Sequence, residues 1–182
     1  SNPISEELST MRSSLWSGLI PALDKNVKRQ QSRVRFFETG LSFLQTEDGL
    51  TQRNKIAGAI TGTLHSEKWN STSELVDFYD VKGDVEALLD LATGQAFEFV
   101  SSDHTSLHPG QSANIVSNGE IVGVFGALHP AIEKKLDLDQ QVFVFELDID
   151  LISQKKFLLC NLYLSNPISS SLFLDSSILP SS

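Results

Sequence analysis

The sequence has little of several things that mark particular classes of protein. Its single cysteine, Cys160, excludes an internal disulfide and fits a reducing compartment. No apolar run approaches the roughly 20 residues of a membrane-spanning helix. The polar start also lacks the basic-then-apolar order of a signal peptide. We therefore expect a cytoplasmic protein that does not bind membranes.

Positive charge is also scarce. Lys and Arg total 14 against 23 Asp and Glu, which gives a formal net charge of −9. Because phosphate contacts need clustered cations, a broad nucleic-acid-binding surface is not expected. One local cluster is either a contact point for phosphates or, as we expect, the solvated face of a helix. Its members are Lys25, Lys28, Arg29, Arg33 and Arg35.

What the sequence does contain is the composition of a globular protein. The 182 residues are 40% hydrophobic and 20% charged, which suffices for one core, or for one core with a tail. The chain opens on Ser1 rather than on methionine. A processed end, a cloning scar and a segment of a longer reading frame would each explain that start.

The hydrophobic pattern predicts many strands and few helices. Helices are expected at 15–27, 77–92 and 130–136. Pro21 should kink the first helix or divide it into two pieces. Strands are expected at 34–38, with a bend at Gly40 and a continuation at 41–44, then at 55–64, 97–100, 113–116, 121–128 and 142–149. This order favours an α+β fold, a mostly antiparallel sheet flanked by helices.

Two dipeptides are signals for tight turns. One is Asp48-Gly49, and the other is Asn118-Gly119, which lies between two apolar strands. Asn-Gly favours a primed hairpin turn because both residues tolerate positive φ. We therefore expect a turn at Asp48-Gly49 and a tight hairpin turn at Asn118-Gly119.

The ends of the second helix and the glycines of strand 55–64 carry further signals. Asp77 or Asp80 can cap the free amides of the helix's first turn, and Gly94 can end the helix. Alternating glycines weaken a strand unless something packs closely against them. Trp69 is a candidate for that role.

Two groups of residues have a chemical interpretation beside a structural one. Asp77, Asp80 and Asp84 either bind a metal or perform acid–base chemistry or, as we expect, meet the positive end of the helix dipole. His108 and His129 lie in two Leu-His-Pro steps. No Cys or His stands at zinc-ligand spacing from them, so we expect a structural role at strand ends.

The remaining chemical candidates are weaker. Gly58 and Gly62 superficially resemble a nucleotide-binding loop, but their segment is a strand without the following lysine. There is no Gly-x-Ser-x-Gly elbow for a serine nucleophile, and nothing near Cys160 in the sequence would activate its thiol. We therefore predict no catalytic, cofactor-binding or metal-binding residue.

The composition changes sharply after Lys155 and Lys156. Residues 157–182 contain one charged residue, Asp175, and no glycine. Neither helical nor strand periodicity persists there. The segment is therefore either a disordered end or non-native sequence.

A set of short motifs follows a fixed order along the chain. They are Asn2-Pro3-Ile4-Ser5, Met11-Arg12, Phe37-Glu38-Thr39-Gly40, Asp77-Phe78-Tyr79-Asp80-Val81-Lys82-Gly83-Asp84, Leu107-His108-Pro109-Gly110, Leu128-His129-Pro130 and Phe145-Glu146-Leu147. Each motif is modest, but in this order the set resembles the beta subunit of bacterial phenylalanine–tRNA ligase. Within that subunit it resembles the catalytic-like domain, and the resemblance spans about residues 2–152.

The resemblance implies a class II aminoacyl-tRNA synthetase-like domain that has lost catalysis. In this family two alpha and two beta chains form a heterotetramer, and the alpha subunit carries ATP, phenylalanine and aminoacyl transfer. ATP and magnesium are then cofactors of the whole enzyme, and none is expected in this segment. The resemblance also implies that tRNA is bound through other parts of the assembly.

The residues agree with a lost active site. Class II synthetases bind ATP partly through an arginine shortly after the motif that resembles 36–43, where this chain has Leu44-Gln45-Thr46-Glu47. The glycine-rich motif that ends in arginine is also absent, and Phe145-Glu146-Leu147-Asp148 occupies the corresponding strand. Without cations for the triphosphate, the chain alone is expected to be inactive.

We therefore expect two parts. Residues 1–152 are a partial class II synthetase-like domain that supports the alpha subunit, and residues 153–182 are a tail outside the family. A frameshift after Lys156 would explain the tail. The alternative is a stand-alone binding or regulatory module that borrowed the synthetase fold.

Overall fold

One antiparallel sheet organises the described part of the chain. A computed structural model describes residues 12–46, 49–65, 74–92 and 96–152. The elements are α1 (Trp16–Val27), β1 (Arg33–Thr46), β2 (Gly49–Gly62), α2 (Phe78–Ala92), β3 (Glu98–Ser101), β4 (Leu107–Ser117), β5 (Glu120–Leu128), α3 (Pro130–Leu136), β6 (Val142–Asp148) and α4 (Ile149–Ile152). The predicted class, an α+β fold with helices flanking a mostly antiparallel sheet, is confirmed.

In the sheet two hairpins, β1-β2 and β4-β5, flank β6, and β3 pairs with β4 at one border. Its strand order is β1-β2-β6-β5-β4-β3, and each neighbouring pair is antiparallel. Asn118 and Gly119 form the turn between β4 and β5 with φ of 52° and 82°, as a primed turn requires. At the other predicted turn, Asp48 lies outside the described residues. Because β6 lies between the hairpins, it is buried along its whole length.

Alternation along the strands gives the sheet two apolar faces. On β2, Ile56 and Ile60 pack into the core beneath α2, whereas Ala57 and Ala59 pack into the core beneath α1. The apolar faces of α1 and α2, which the sequence predicts, pack over these two cores. Their buried members are Leu19 and Leu23 of α1 and Val81, Val85, Leu89 and Ala92 of α2.

One glycine of β2, Gly58, leaves space for a side chain of β6. Gly58 lies directly opposite Phe145 in the register of the two strands. A Cβ atom at Gly58 would overlap the Phe145 ring. Our candidate for this space, Trp69, lies outside the described residues, and the space over Gly58 is filled by Phe145.

Helix α1 is continuous through Pro21. We predicted a kink or two shorter helices, and the division is wrong because one helix runs from Trp16 to Val27. Proline removes one hydrogen bond and costs about 3 kcal/mol in a helix interior. Leu19 and Leu23, on either side of it, are only 5% and 0% exposed. Their burial offsets that cost and keeps the helix in one piece.

Strand β1 is also continuous where we predicted a bend. It pairs with β2 in an unbroken register from Arg33 to Thr46, through Gly40. A Cβ atom at position 40 would lie 2.5 Å from Nη2 of Arg12. The glycine therefore leaves room for the guanidinium of Arg12 and does not bend the strand.

Helix α2 begins with reciprocal caps. Oδ1 of Asp77 accepts hydrogen bonds from the backbone N–H of Tyr79 at 2.7 Å and of Asp80 at 2.9 Å. Oδ2 of Asp80 accepts one from the backbone N–H of Asp77 at 2.8 Å. The predicted caps are therefore confirmed, while Gly94 lies outside the described residues.

No helix in the described ranges combines the length and the apolarity of a membrane span.

Candidate functional site

A groove opens on the α1 side of the sheet, where both hairpins meet β6. Its volume is about 390 Å³, which is within the usual range for a small-molecule site. Its wall includes Leu44, Arg53 and Lys55 of the β1-β2 hairpin and Ile121 of the β4-β5 hairpin. Glu146 and Asp148 of β6 lie between them.

Two ion pairs cross the groove from β2 to β6. Nζ of Lys55 lies 2.6 Å from Oε2 of Glu146, and Nη1 of Arg53 lies 3.0 Å from Oδ2 of Asp148. The Lys55 and Glu146 side chains are 14% and 10% exposed, and Asp148 is also 10% exposed. A buried charge needs a partner. Each cation of β2 that lines the groove is therefore already bound to a carboxylate of β6.

Glu146 also holds the start of α1. Its Oε1 accepts a hydrogen bond from Ser14 Oγ and another from the backbone N–H of Leu15, both at 2.8 Å. The indole Nε1–H of Trp16 donates to the carbonyl of Phe145 at 3.0 Å. Residues 14–16 are thus fixed to β6 at the edge of the groove, and both carboxylate oxygens of Glu146 are occupied.

His104 is the histidine that lines the groove. Its ring meets the ring of Trp16 edge-on, with centroids 5.3 Å apart. Its Nδ1 accepts a hydrogen bond from the backbone N–H of Ser106 at 3.2 Å. Both contacts orient the ring within the fold.

Two of the sequence motifs meet beside the groove. Nη1 of Arg12 lies 2.6 Å from Oε1 of Glu38. The same guanidinium lies against Gly40, and the carbonyl of Arg12 accepts a hydrogen bond from the N–H of Phe43 at 2.9 Å. The Met11-Arg12 and Phe37-Glu38-Thr39-Gly40 motifs are therefore joined in space by Arg12.

The three aspartates of the second predicted helix have partners in the protein. Asp77 and Asp80 cap α2. Oδ2 of Asp84 lies 2.8 Å from Nη1 of Arg35 on β1. These contacts support the structural interpretation of the three carboxylates.

Each of the two histidines with a predicted structural role accepts a hydrogen bond from a nearby backbone N–H. Nδ1 of His129 accepts a hydrogen bond from the N–H of Ala131 and caps α3. Nδ1 of His108 accepts one from the N–H of Gly110 at 3.0 Å. Within the described ranges, no three His, Cys, Asp or Glu residues come together as metal ligands would. Cys160 lies outside those ranges.

The basic cluster extends from the end of α1 into β1. Lys28 pairs with Asp24 at 2.9 Å, one helical turn away, and Arg35 pairs with Asp84. Lys25, Arg29 and Arg33 are exposed to solvent. The cluster is thus divided between two elements.

Sequence reasoning missed the importance of Glu146 and Asp148. Both residues enter the sequence analysis only as members of a strand compared with the family. The signal that would have found both was available, because two acids alternate in a strand that is otherwise apolar. Acids in a fully buried strand require cations nearby.

A model of one protein family matches most of this chain. The family is described as the phenylalanyl tRNA synthetase beta chain CLM domain, and the match covers residues 1–149. The chain belongs to this family. The CLM domain described here therefore agrees with the resemblance found from its motifs.

Several curated relatives are phenylalanine–tRNA ligase beta subunits. The one from Methylococcus capsulatus is 48% identical over 154 residues, which is 85% of this chain and 20% of the relative. The one from Idiomarina loihiensis is 49% identical over 158 residues, 85% of this chain and 20% of the relative. The one from Pseudomonas syringae pv. tomato is 50% identical over 147 residues, which is 80% of this chain and 19% of the relative. This CLM domain thus spans about a fifth of the length of the curated relatives it matches.

Proposed function

We propose that this chain is a non-catalytic structural domain of a phenylalanine–tRNA ligase beta subunit. It supports the alpha subunit, which attaches phenylalanine to its tRNA with ATP. The observation that carries the proposal is that Arg53 and Lys55, the β2 cations of the groove, are bound to Asp148 and Glu146. A triphosphate needs cations that are available to its oxygens. An internally neutralised groove does not supply them.

The partners and cofactors follow from the same proposal. The alpha subunit is the protein partner, and tRNA is bound through other parts of the assembly. ATP and magnesium serve the whole enzyme in the cytoplasm, and this domain holds neither. The curated relatives support the proposal, since they are named as beta subunits of that ligase.

The domain organisation belongs to the proposal as well. Residues 1–152 are the partial class II synthetase-like domain, and residues 153–182 are a tail outside the family that arose by a frameshift after Lys156. The position at which the family match ends, residue 149, supports this boundary. Sequencing the genomic DNA would test it. The family pattern should resume in another frame after Lys156, and its absence from both other frames would contradict the frameshift.

The whole ligase provides the test of function. We would introduce Arg53→Met at the equivalent codon of the full beta chain and measure aminoacylation together with recovery of the alpha chain on purification. Lys82→Met, on the exposed side of α2, is the matched control. We expect kcat to change by less than about twofold in both variants, because losing a group that stabilises the transition state costs on the order of 10²–10³. A loss of that size in Arg53→Met alone, with the alpha chain still bound, would contradict the proposal.

A second candidate is a stand-alone binding or regulatory module. The groove of about 390 Å³ favours it, because the space remains open although its charges are paired. Such a module would fold stably without an alpha chain and would bind a small ligand. If the chain gives no complex with a purified alpha chain but a cooperative thermal transition that a small molecule raises, this candidate replaces the first.

A further inference from the structure

The turn between β4 and β5 places an asparagine directly before a glycine at an exposed position. Ser117 of β4 pairs with Glu120 of β5, so the loop consists of two residues, Asn118 and Gly119. Both are exposed to solvent, and a Cβ atom at Gly119 would meet nothing within 4 Å. Asparagine is one of the thermolabile residue types in proteins. The turn therefore places a labile side-chain amide beside an unhindered backbone nitrogen.

The reaction open to these two residues is intramolecular. The backbone nitrogen of Gly119 gives up its proton and bonds to Cγ of Asn118, the bond from Cγ to Nδ2 breaks, and ammonia leaves. Water then opens the resulting cyclic imide. Its attack at Cγ gives aspartate, whereas its attack at the main-chain carbonyl carbon gives isoaspartate. Water is the only other reactant, and no atom changes its oxidation state.

The sign of φ at Gly119 decides whether the turn favours this reaction. Ring closure needs the nitrogen of Gly119 nearly eclipsed with Cβ of Asn118 about the bond from Cα to C. That geometry corresponds to ψ of about −120° at Asn118, the value in a type II′ turn, whose second residue has negative φ. Here φ is 52° at Asn118 and 82° at Gly119. The turn is therefore of type I′ and not of the reactive type II′.

In the type I′ turn the two reacting groups point apart. The first residue of such a turn has ψ of about 30°, which places the nitrogen of Gly119 roughly 150° from Cβ of Asn118 about the same bond. The imide cannot close until that bond rotates. Because the pairing of Ser117 with Glu120 fixes the turn, the tip of the hairpin must open first. We propose that Asn118 is a deamidation site that the folded hairpin keeps latent.

The product cannot rebuild the same turn. Isoaspartate adds one methylene group to the main chain, so the loop becomes longer than the register of Ser117 with Glu120 allows. Either product also adds a carboxylate next to Glu120, in a chain whose formal net charge is already −9. Glu120 and Ile121 line the groove. Deamidation therefore changes the shape and the charge of the chain at the rim of the groove.

Three other asparagines of the described ranges are internal controls. Asn26, Asn54 and Asn114 are followed by valine, lysine and isoleucine rather than by glycine. The side-chain amides of Asn26 and Asn54 donate hydrogen bonds within the fold, and Asn114 lies inside β4. A side chain on the following residue hinders the approach of its nitrogen. All three should therefore convert more slowly than Asn118, both in the folded and in the unfolded chain.

Peptide mapping by mass spectrometry would measure the conversion in the whole chain. The chain is incubated with and without denaturing urea at one pH, and circular dichroism reports its folding. Asn118→Asp supplies the reference peptide for the aspartate product, so a second product of the same mass is isoaspartate. We expect Asn118 to convert at least about tenfold more slowly in the folded chain, because only the open fraction of the hairpin reacts.

A second variant tests whether opening of the hairpin tip limits the reaction. Ile121→Gly weakens the strand beside the turn and should accelerate conversion in the folded chain by up to about fivefold, as strand propensity allows. Val100→Gly on β3 is the matched control, since Ile121 and Val100 are 57% and 49% exposed. Val100→Gly should leave the rate at Asn118 unchanged.

Three results would overturn the proposal. Conversion of Asn118 that is equally fast or faster in the folded chain would show that the turn does not withhold the reaction. Conversion of Asn54 or Asn114 in urea as fast as that of Asn118 would refute the assignment of the site. Equal rates in Ile121→Gly and Val100→Gly would show that opening of the tip does not limit the reaction.

Discussion

Lys55 and Glu146 form an ion pair of 2.6 Å between neighbouring strands, with 14% and 10% of their side chains exposed. The second oxygen of Glu146 accepts hydrogen bonds from Ser14 and Leu15, just before α1. One carboxylate thus joins β2, β6 and the start of α1. The same contact pairs a cation that lines the groove with a carboxylate of β6.

The first prediction concerns this carboxylate. Glu146→Gln keeps the shape of the side chain but replaces one of its two acceptor oxygens by an N–H₂ donor. That donor must face either the ammonium of Lys55 or the backbone N–H of Leu15, both of which are donors themselves. Breaking a buried ion pair costs roughly 3–5 kcal/mol, and the partial exposure of this pair lowers our expectation to roughly 2–4 kcal/mol. Urea denaturation would measure the change in free energy of unfolding.

The matched control is a more exposed pair, Lys82 and Glu86 on α2, which lies at 2.9 Å with 33% and 45% side-chain exposure. Glu86→Gln should cost less than about 0.5 kcal/mol, because exposed pairs contribute little. Equal effects of Glu146→Gln and Glu86→Gln would show that Glu146 has no special role in the fold.

The second prediction concerns close packing at Gly58. Gly58→Ala drives a methyl group into the Phe145 ring and should destabilise the chain by about 1–3 kcal/mol, as overpacking does. Gly83→Ala is the control, since a Cβ atom there meets nothing within 4 Å. It lies inside α2, where the alanine should stabilise by about 0.5–1 kcal/mol. Thermal unfolding of both variants checks the opposite signs, and two shifts of the same sign would refute the packing argument.

The third prediction concerns the cap of α2. Asp77→Ala removes the acceptor of two backbone N–H groups and should cost about 1 kcal/mol. Asp90 is an exposed acid in the same helix, so Asp90→Ala should be neutral or slightly stabilising. Urea denaturation midpoints of the two variants would measure the difference, and the midpoint of Asp77→Ala should be the lower one. A neutral Asp77→Ala would mean that water replaces the cap at no cost.

The sequence predicted the local features well where one element determined them. The Asn118-Gly119 turn, the stripe of α2 from Val81 to Ala92 and the cap at Asp77 depend on neighbouring residues, and each is present in the structure. Their physical causes are backbone conformation, helical periodicity and free amides, all of which are visible along the chain.

Features that depend on contacts between distant elements were not predicted. The role of Gly40 depends on Arg12, which lies 28 positions away in sequence. The ion pair of Lys55 and Glu146 joins residues 91 positions apart. Both require the strand order, and in particular the position of β6 between the hairpins. The division of α1 at Pro21 was predicted wrongly for the same reason. The burial of Leu19 and Leu23, which keeps the helix in one piece, depends on contacts with other elements.

We propose that this domain does not carry out chemistry, and phenylalanine-dependent ATP–pyrophosphate exchange is the assay that we would run first. The assay would use the folded chain alone, with folding checked by circular dichroism, beside a whole ligase as the positive control. We expect exchange by the ligase and none above the enzyme-free background by the chain. Phenylalanine-dependent exchange by the chain, abolished by Arg53→Met, would show that the domain is catalytic.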